Sequence, residues 1–219
     1  MTSSFNAFGK SGKNYDDPSV PVWLGKVRAV PVGGSFASKY IVKGALYAAG
    51  TPVQLDGKTI KPCLVYEAVS LSTGTDDTLV IKQNGSGIMP AVNDYLMKVG
   101  ATFATTGKAA KVKTVAINAD GNIEITVNTG KFDTINAGDA IAFSSATAEA
   151  GSKSLEVIPN GYLYNDVYLG DIDVTNEMAG ASGAVVMYHG EGILINRTPA
   201  APVKTQMAAA VPHVLQVNY

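Results

Sequence analysis

The chain has 219 residues, of which 46% are apolar and 16% are charged, and its formal net charge is −1. The neutral charge balance and the absence of a basic run exclude nucleic-acid binding by phosphate neutralisation. No apolar run reaches the roughly 20 residues that span a bilayer, and the first residues lack the apolar segment of a signal peptide. We therefore expect a protein that is made in a cytosol and binds no membrane.

The residue types that usually carry catalysis or hold a metal are scarce. Cys63 is the only cysteine, which excludes an intramolecular disulfide. With His189 and His213 as the only histidines, the chain offers too few ligands for zinc. A serine nucleophile in a Gly-x-Ser-x-Gly turn is also absent from the sequence. We expect no enzymatic activity and no cofactor.

The charged fraction of 16% lies below the roughly 25% of an average soluble domain. A surface with few charges is typical of a chain that is partly covered by other subunits. A neutral surface of Thr, Ser, Asn and Gly, which is common in β proteins, explains the same number. Composition leaves both explanations open.

Residues 1–39 are predicted to form an extended N-terminal arm. Pro18, Pro21 and Pro31 interrupt any regular element, and small polar residues fill the first 19 positions. Aromatic side chains in such an arm need an apolar surface, either on their own domain or on a partner. The candidate docking residues are Phe5, Phe8, Tyr15 and Trp23.

Residues 40–70 read as short apolar runs separated by turns such as Gly50-Thr51-Pro52 and Asp56-Gly57. The run from Ile60 to Val69 is almost continuously apolar and predicts a strand that is buried on both faces. Glu67 interrupts this run. Because an unpaired buried carboxylate is costly, we expect Glu67 near a rim or paired with a cation.

Residues 71–155 are predicted to be a β-rich insert. Val112–Asn118 and Asn122–Val127 flank Ala119-Asp120-Gly121, and apolar and polar residues alternate along the second segment. This pattern predicts a half-buried hairpin. The turn Ala137-Gly138-Asp139 precedes a predicted strand at Ala140–Phe143.

Two segments of the insert are less regular. Pro90–Val99 favours a short helix, because Ala91, Tyr95 and Val99 recur at a spacing of four residues, with a strand at Tyr95–Val99 as the alternative. Ala146–Leu155 is rich in Ala and Ser and is interpreted as a helical turn or a linker.

Residues 156–198 again show short apolar runs separated by turns, like residues 40–70. Asn160-Gly161 is interpreted as a turn before a β-prone run from Tyr162 to Leu169. In that run Tyr162, Tyr164 and Tyr168 fall on one face of a strand. They form a possible contact face for a carbohydrate or a protein, or they pack in the core or against another subunit. Residues 199–219 are interpreted as a C-terminal tail.

Together these elements predict an all-β protein. Its small β-barrel or β-tulip-like core consists of residues 40–70 and 156–198, and the β-rich insert 71–155 splits it. We expect the two core blocks to share a sheet. The extended arm precedes the core and the tail follows it.

The two core blocks resemble the bacteriophage capsid decoration and head-fibre proteins. In that family a strand, a Gly-x-Pro turn and an apolar strand open a small β domain, and a Gly-led strand pair closes it. The residues that carry the resemblance are Ala49-Gly50-Thr51-Pro52-Val53, Pro62-Cys63-Leu64-Val65-Tyr66-Glu67-Ala68, Asn160-Gly161-Tyr162-Leu163 and Gly183-Ala184-Val185-Val186-Met187-Tyr188-His189-Gly190. They cover about a third of the chain.

The resemblance implies a virion structural protein that docks on the capsid surface and is assembled in the host cytoplasm. It implies a homotrimer whose partners are the major capsid protein or other virion proteins, and the N-terminal arm is the natural docking element. Two alternatives remain: another tail or baseplate component, and a carbohydrate-binding or adhesin-like module that uses the tyrosine face.

Overall fold

The computed structural model describes residues 22–24, 33–149, 151–169, 182–187, 190–194 and 201–217. Strands dominate these residues, which confirms the predicted all-β class. The strands are β1 (Gly34–Phe36), β2 (Leu46–Tyr47), β3 (Pro52–Asp56), β4 (Thr59–Pro62), β5 (Val65–Ser72), β6 (Asp76–Ile81), β7 (Tyr95–Lys98), β8 (Ala109–Ile117), β9 (Ile123–Asn128), β10 (Ala140–Phe143), β11 (Gly161–Leu163), β12 (Val167–Tyr168), β13 (Ser182–Gly183), β14 (Val185–Val186), β15 (Gly190–Leu194) and β16 (Val214–Val217).

The chain divides into two compact units. One, the barrel unit, consists of Cys63–Asn84 and Met89–Ile158. The other, the sheet unit, contains the described residues up to Pro62, the short segment Gly85–Ile88 and the described residues from Pro159 onward. The predicted barrel is therefore built from the insert and the end of the first block, while the two predicted core blocks supply a separate sheet.

The barrel unit is a closed sheet of six strands in the order β10-β5-β6-β9-β8-β7. Two of its strands bend from one set of neighbours to another. The first part of β5 pairs with β10 and the rest with β6, and Ala109–Lys111 of β8 pair with β7 while the rest of β8 pairs with β9. This sharing of long strands closes the barrel.

The predicted hairpin is confirmed as β8 and β9. In β9 the residues alternate strictly between buried and half-buried, as the sequence pattern predicts. Gly121 has φ +78°, and its N–H donates to the Asn118 carbonyl at 3.0 Å. This left-handed residue closes a three-residue turn that favours glycine.

The barrel core is formed by the inward residues of its strands. The fully buried side chains include Leu79, Ile123, Ile125 and Ile141. At the rim, Lys82 Nζ lies 2.6 Å from Glu67 Oε1, so the prediction that Glu67 pairs with a cation is confirmed.

The sheet unit contains a six-stranded sheet in the order β13-β1-β4-β3-β11-β14. Strands β3 and β4 form a hairpin, and β1 joins β4 in parallel. Two further pairings, β1 with β13 and β3 with β11, connect residues 34–62 with residues 161–183. The last pairing, β11 with β14, joins two strands of the second block. The two predicted core blocks therefore do share this sheet.

The prediction of one buried strand over Ile60–Val69 is wrong. Strand β4 ends at Pro62 in the six-stranded sheet, and β5 begins at Val65 in the barrel. Pro62 has no N–H to donate, so it is a natural end for a strand. The residues between are buried as well, which is why the apolar run shows no break.

The predicted helix at Pro90–Val99 is also wrong, and the strand alternative is right. Tyr95–Lys98 form β7, which pairs with both β8 and β10. The backbone hydrogen bonds to these two neighbouring strands outweigh the helical spacing of Ala91, Tyr95 and Val99, which is too short a pattern to determine the structure. Ala146–Leu155 contains no helix in the residues described there; Leu155 forms a bridge with Ser144.

The segment interpreted as a C-terminal tail is folded. Residues Ala201–Val203 form a short 3-10 turn, α1 spans Lys204–Ala210, and β16 follows. Val203, Met207 and Val211 are buried, because their spacing of four places them on one face of a helix. Among the described residues no helix has the length and apolar character that a membrane span requires.

Candidate functional site

The predicted docking residues fall on both sides of the boundary of the described chain. Phe5, Phe8 and Tyr15 lie outside the described residues. Trp23 lies inside them and contacts its own sheet unit, where it forms an antiparallel bridge with Ile193. This assigns Trp23 to its own domain, one of the two surfaces expected for the arm aromatics.

Trp23 is held by a hydrogen bond and by two aromatic contacts. Its Nε1–H donates to the Tyr164 carbonyl oxygen at 2.8 Å. Its ring meets Tyr162 edge-on at a centroid distance of 6.2 Å and lies 6.0 Å from the ring of Tyr164. We call Trp23, Tyr162 and Tyr164 the aromatic cluster. Such contacts stabilise by about 0.5–1.5 kcal/mol each beyond the area they bury.

Tyr162 is the buried centre of the aromatic cluster. Its side chain is 0% exposed, and its hydroxyl accepts a hydrogen bond from Gln216 Nε2 at 2.8 Å. Burial raises the pKa of Tyr162 and the Gln216 bond offsets part of this rise. Tyr162 therefore packs in the core, which was one of the two interpretations of the tyrosine face.

The three tyrosines do not share an exposed face. Tyr162 is buried, Tyr164 is half-buried, and only Tyr168 is largely exposed, at 51%. The alternation argument fails because β11 ends at Leu163 and β12 begins only at Val167. A side-chain period of two persists only while the strand continues.

Asn160 and Gly161 fit β11 into the sheet. The Asn160 side chain imitates a strand: its Oδ1 accepts from the Leu55 N–H at 2.8 Å and its Nδ2 donates to the Leu55 carbonyl at 3.0 Å. A Cβ at Gly161 would lie only 2.7 Å from Cγ1 of Val185. The Asn-Gly pair is therefore the start of a strand and not the predicted turn.

The segments that carry the family resemblance meet at this place. The Gly50 N–H donates to the Leu163 carbonyl at 2.8 Å, and the Leu163 N–H donates to the Thr51 carbonyl at 2.9 Å. Leu163 also pairs with Val185 on its other side. Three of the four quoted segments are thus adjacent in one sheet, although the first is more than a hundred residues away from the other two along the chain.

Asp166 is the described acidic residue of this region, and it makes a structural hydrogen bond. Asp166 Oδ1 accepts a hydrogen bond from the Ala49 N–H at 2.7 Å, which secures the turn before β3. In the part of the chain that the structure describes, no group of three His, Cys, Asp or Glu side chains could hold a metal ion. His189 lies outside that part.

Cys63 is buried in the barrel unit. Its Sγ–H points to the Val157 carbonyl oxygen at 3.8 Å. Burial, with a smaller contribution from the negative charge of Glu156, raises the pKa of the thiol to about 12. The thiol is therefore neutral at physiological pH and is a poor nucleophile.

Sequence reasoning missed the polar side chains that complete backbone hydrogen bonding. Besides Asn160, Glu149 accepts from the Lys111 N–H at 3.0 Å and from Asn128 Nδ2 at 2.9 Å, where β8 passes from one neighbour to the other. The Asn-Gly pair was visible in the sequence, but nothing local identifies Leu55 or Lys111 as partners. Such contacts are long-range and leave no periodic signal.

The aromatic cluster joins two distant segments of the chain, and its central tyrosine, Tyr162, is fully buried. Comparison with family models, with curated proteins and with solved structures gave no significant match.

Proposed function

We propose that the chain is a bacteriophage virion structural protein, a head decoration or head-fibre subunit that binds the capsid surface and catalyses no reaction. Its partners would be the major capsid protein or other virion proteins, and its working state would be a homotrimer on the virion. The observation that carries the proposal is that three of the four resembling segments form neighbouring strands of one sheet.

The contacts of Trp23 reduce the number of candidate docking residues in the arm. Trp23 is bound by Tyr164 and by Ile193 of its own chain. Because these contacts within its own chain occupy the Trp23 side chain, Trp23 is not available to anchor a partner protein. The docking role therefore falls on Phe5, Phe8 and Tyr15, which precede this anchor in the sequence.

The mechanism is burial against an assembled shell. Each copy that covers a seam between capsid subunits binds the assembled state and not the separate subunits, so it favours assembly by mass action. The low charged fraction of 16% is consistent with this, because less of the surface must remain in water.

The test is co-sedimentation of the purified protein with capsids that lack it. We expect saturable binding, and we expect the chain without residues 1–20 to stay folded and to lose binding. Tyr168→Ser, which changes an exposed side chain outside the arm, is the matched control and should bind normally. Failure of the full-length protein to bind any capsid or virion particle would overturn the proposal.

The carbohydrate-binding alternative has less support. Stacking on sugars needs exposed rings, and Tyr162 is fully buried. Glycan-array binding that disappears in both Tyr164→Ala and Tyr168→Ala would favour it. The tail or baseplate alternative differs only in location, and labelled antibody on intact particles separates it from the head.

A further inference from the structure

Part of strand β8 has no described strand on one of its sides. Residues 109–111 of β8 pair with β7, and from Val112 onward β8 pairs with β9. On the side of β8 away from β9, none of the strands that the structure describes pairs with residues 113–117. We call residues 113–117 the free edge.

The direction of the peptide groups along the free edge follows from the hairpin. The Asn118 N–H donates to the Asn122 carbonyl at 2.9 Å, so Asn118 faces β9. Peptide groups alternate in direction along an antiparallel strand. Ala116 therefore also faces β9, while the N–H and C=O groups of Val115 and Ile117 point outward.

Two apolar side chains of the free edge, Val115 and Ile117, lie on the same face of the sheet as buried core residues of β9. Val115 pairs with Ile125 and Ile117 pairs with Ile123, and directly opposite residues lie on the same face of a sheet. Ile123 and Ile125 are fully buried, yet Ile117 is 47% exposed. One further strand would cover Ile117 and satisfy the outward peptide groups.

The free edge carries few of the devices that prevent edge pairing. Edge strands are usually protected by proline, by bulges or by charged side chains. Residues 113–117 contain no proline, and the irregularity of β8 falls at Lys113, the first of them, so residues 114–117 are regular. The one charged side chain, Lys113, forms an ion pair with Asp76 of β6, two strands away in the same barrel.

We propose that the free edge pairs with the same edge of a second copy of this chain, antiparallel and centred on Ala116. Val115 of one copy and Ile117 of the other then exchange both backbone hydrogen bonds, twice per dimer.

Charge favours this occupant. Lys113 lies at one end of the free edge, and the exposed Asp120 lies in the turn just beyond the other end. An antiparallel copy brings each Lys113, whose ammonium also contacts Asp76 of its own chain, to the same end of the contact as the Asp120 of its partner, so residues of opposite charge meet at both ends. A parallel copy would bring like charges together.

This contact is independent of capsid binding. It closes with two copies, so a trimer would need a separate surface of the chain. A pairing limited to one short strand is also smaller than a standard stable interface, and we expect a weak dimer that forms at high protein concentration.

The first test is analytical ultracentrifugation over a range of concentrations. We expect concentration-dependent dimerisation, and we expect Val115→Pro to weaken it by about tenfold or more, because two hydrogen bonds per dimer are lost. Proline is compatible with an edge position whose N–H points outward. Val115→Thr keeps the N–H and the side-chain shape, and it is the matched control that should dimerise normally.

The second test fixes the register and does not depend on a strong dimer. In a Cys63→Ser background, Ala116→Cys should form an intermolecular disulfide under mild oxidation, because the Cα atoms of paired Ala116 residues would lie about 4.5 Å apart. Thr114→Cys should not cross-link in this register. No dimer at any concentration together with no Ala116→Cys cross-link would overturn the proposal, and so would equal cross-linking of both variants.

Discussion

The barrel unit and the sheet unit are built from strands that lie at very different distances along the chain. In the barrel, β5 and β6 are joined by a few residues, and so are β8 and β9. In the sheet, Val53 pairs with Gly161 and Gly34 pairs with Gly183. Local pairings close small loops at a low entropic cost, whereas distant pairings must be secured by specific contacts.

The specific contacts of the sheet unit match this difference. Asn160 makes two hydrogen bonds to the backbone of Leu55, Gly161 allows a close approach of β14, and Trp23 donates to the carbonyl of Tyr164. The barrel depends more on continuous alternation of buried and half-buried residues. We expect the two units to respond differently to mutation.

The chain carries one reporter for each unit, because Trp23 is the only tryptophan and Cys63 is the only cysteine. Because the Cys63 thiol is buried and its pKa is raised to about 12, it should react with a disulfide reagent at pH 8 about a hundredfold more slowly than free cysteine. Denaturant should restore the normal rate when the barrel unfolds. Fast labelling of the native protein would contradict the burial of Cys63.

Ile125→Ala should destabilise the barrel unit by about 2–5 kcal/mol, because it leaves a cavity at a side chain that is 0% exposed. The denaturant midpoint of Cys63 labelling should fall by more than that of Trp23 fluorescence. Thr126→Ala, the next residue on the outer face, is the control and should cost only about 0.5 kcal/mol. Equal shifts of both reporters would show that the two units unfold as one.

Gly161→Ala should destabilise the sheet unit by about 1–3 kcal/mol, since the added Cβ would meet Val185 Cγ1 at 2.7 Å and the Val186 carbonyl oxygen at 2.9 Å. Here the Trp23 transition should move more than the Cys63 transition. Gly74→Ala in the barrel unit is the matched substitution. Its Cβ would have only the Asp76 carbonyl within 4 Å, at 3.3 Å, so a small effect is expected. A larger effect at Gly74 than at Gly161 would reverse the comparison.

The smallest effect is expected at Asp139 in the barrel unit. Burial raises the pKa of Asp139, but the Asn136 N–H and the Lys98 ammonium outweigh burial, so the pKa lies below its usual value. Such a carboxyl stabilises the fold above its unfolded pKa of about 3.9, and this contribution is lost as the pH falls through the folded pKa.

Asp139→Asn should therefore cost about 1 kcal/mol at pH 7 and clearly less at pH 3, measured by circular dichroism in denaturant. Asp120→Asn, which removes an exposed carboxylate from the hairpin turn, is the control and should leave the barrel stability nearly unchanged. An Asp139→Asn effect of the same size at both pH values would remove the carboxylate from the explanation.

The sequence predicted best where structure is local. The β8–β9 hairpin follows from alternation and from a glycine in a left-handed turn, and the strand Ala140–Phe143 follows from its turn and its apolar residues. A rim position or a cation partner for Glu67 was expected on desolvation grounds, and Lys82 is that partner. These predictions depend on neighbouring residues, which sequence pattern records.

Prediction from the sequence was least accurate where one continuous run of residues contributes to two different structural elements. Ile60–Val69 shows one apolar run but contributes to two sheets. Tyr162, Tyr164 and Tyr168 have the spacing of one face, but the strand between them is interrupted. The partner of Asn160 is Leu55, 105 residues away, and no local rule can supply it.

The division of the chain also sets an order of events during synthesis. Strand β10, the last of the barrel, ends at Phe143, whereas β11, which the sheet needs beside β3, begins at Gly161. A ribosome therefore releases every barrel strand before the sheet can close. Until β11 emerges, β3 and β4 form a hairpin without its later neighbours, so the nascent barrel is the unit expected to fold first.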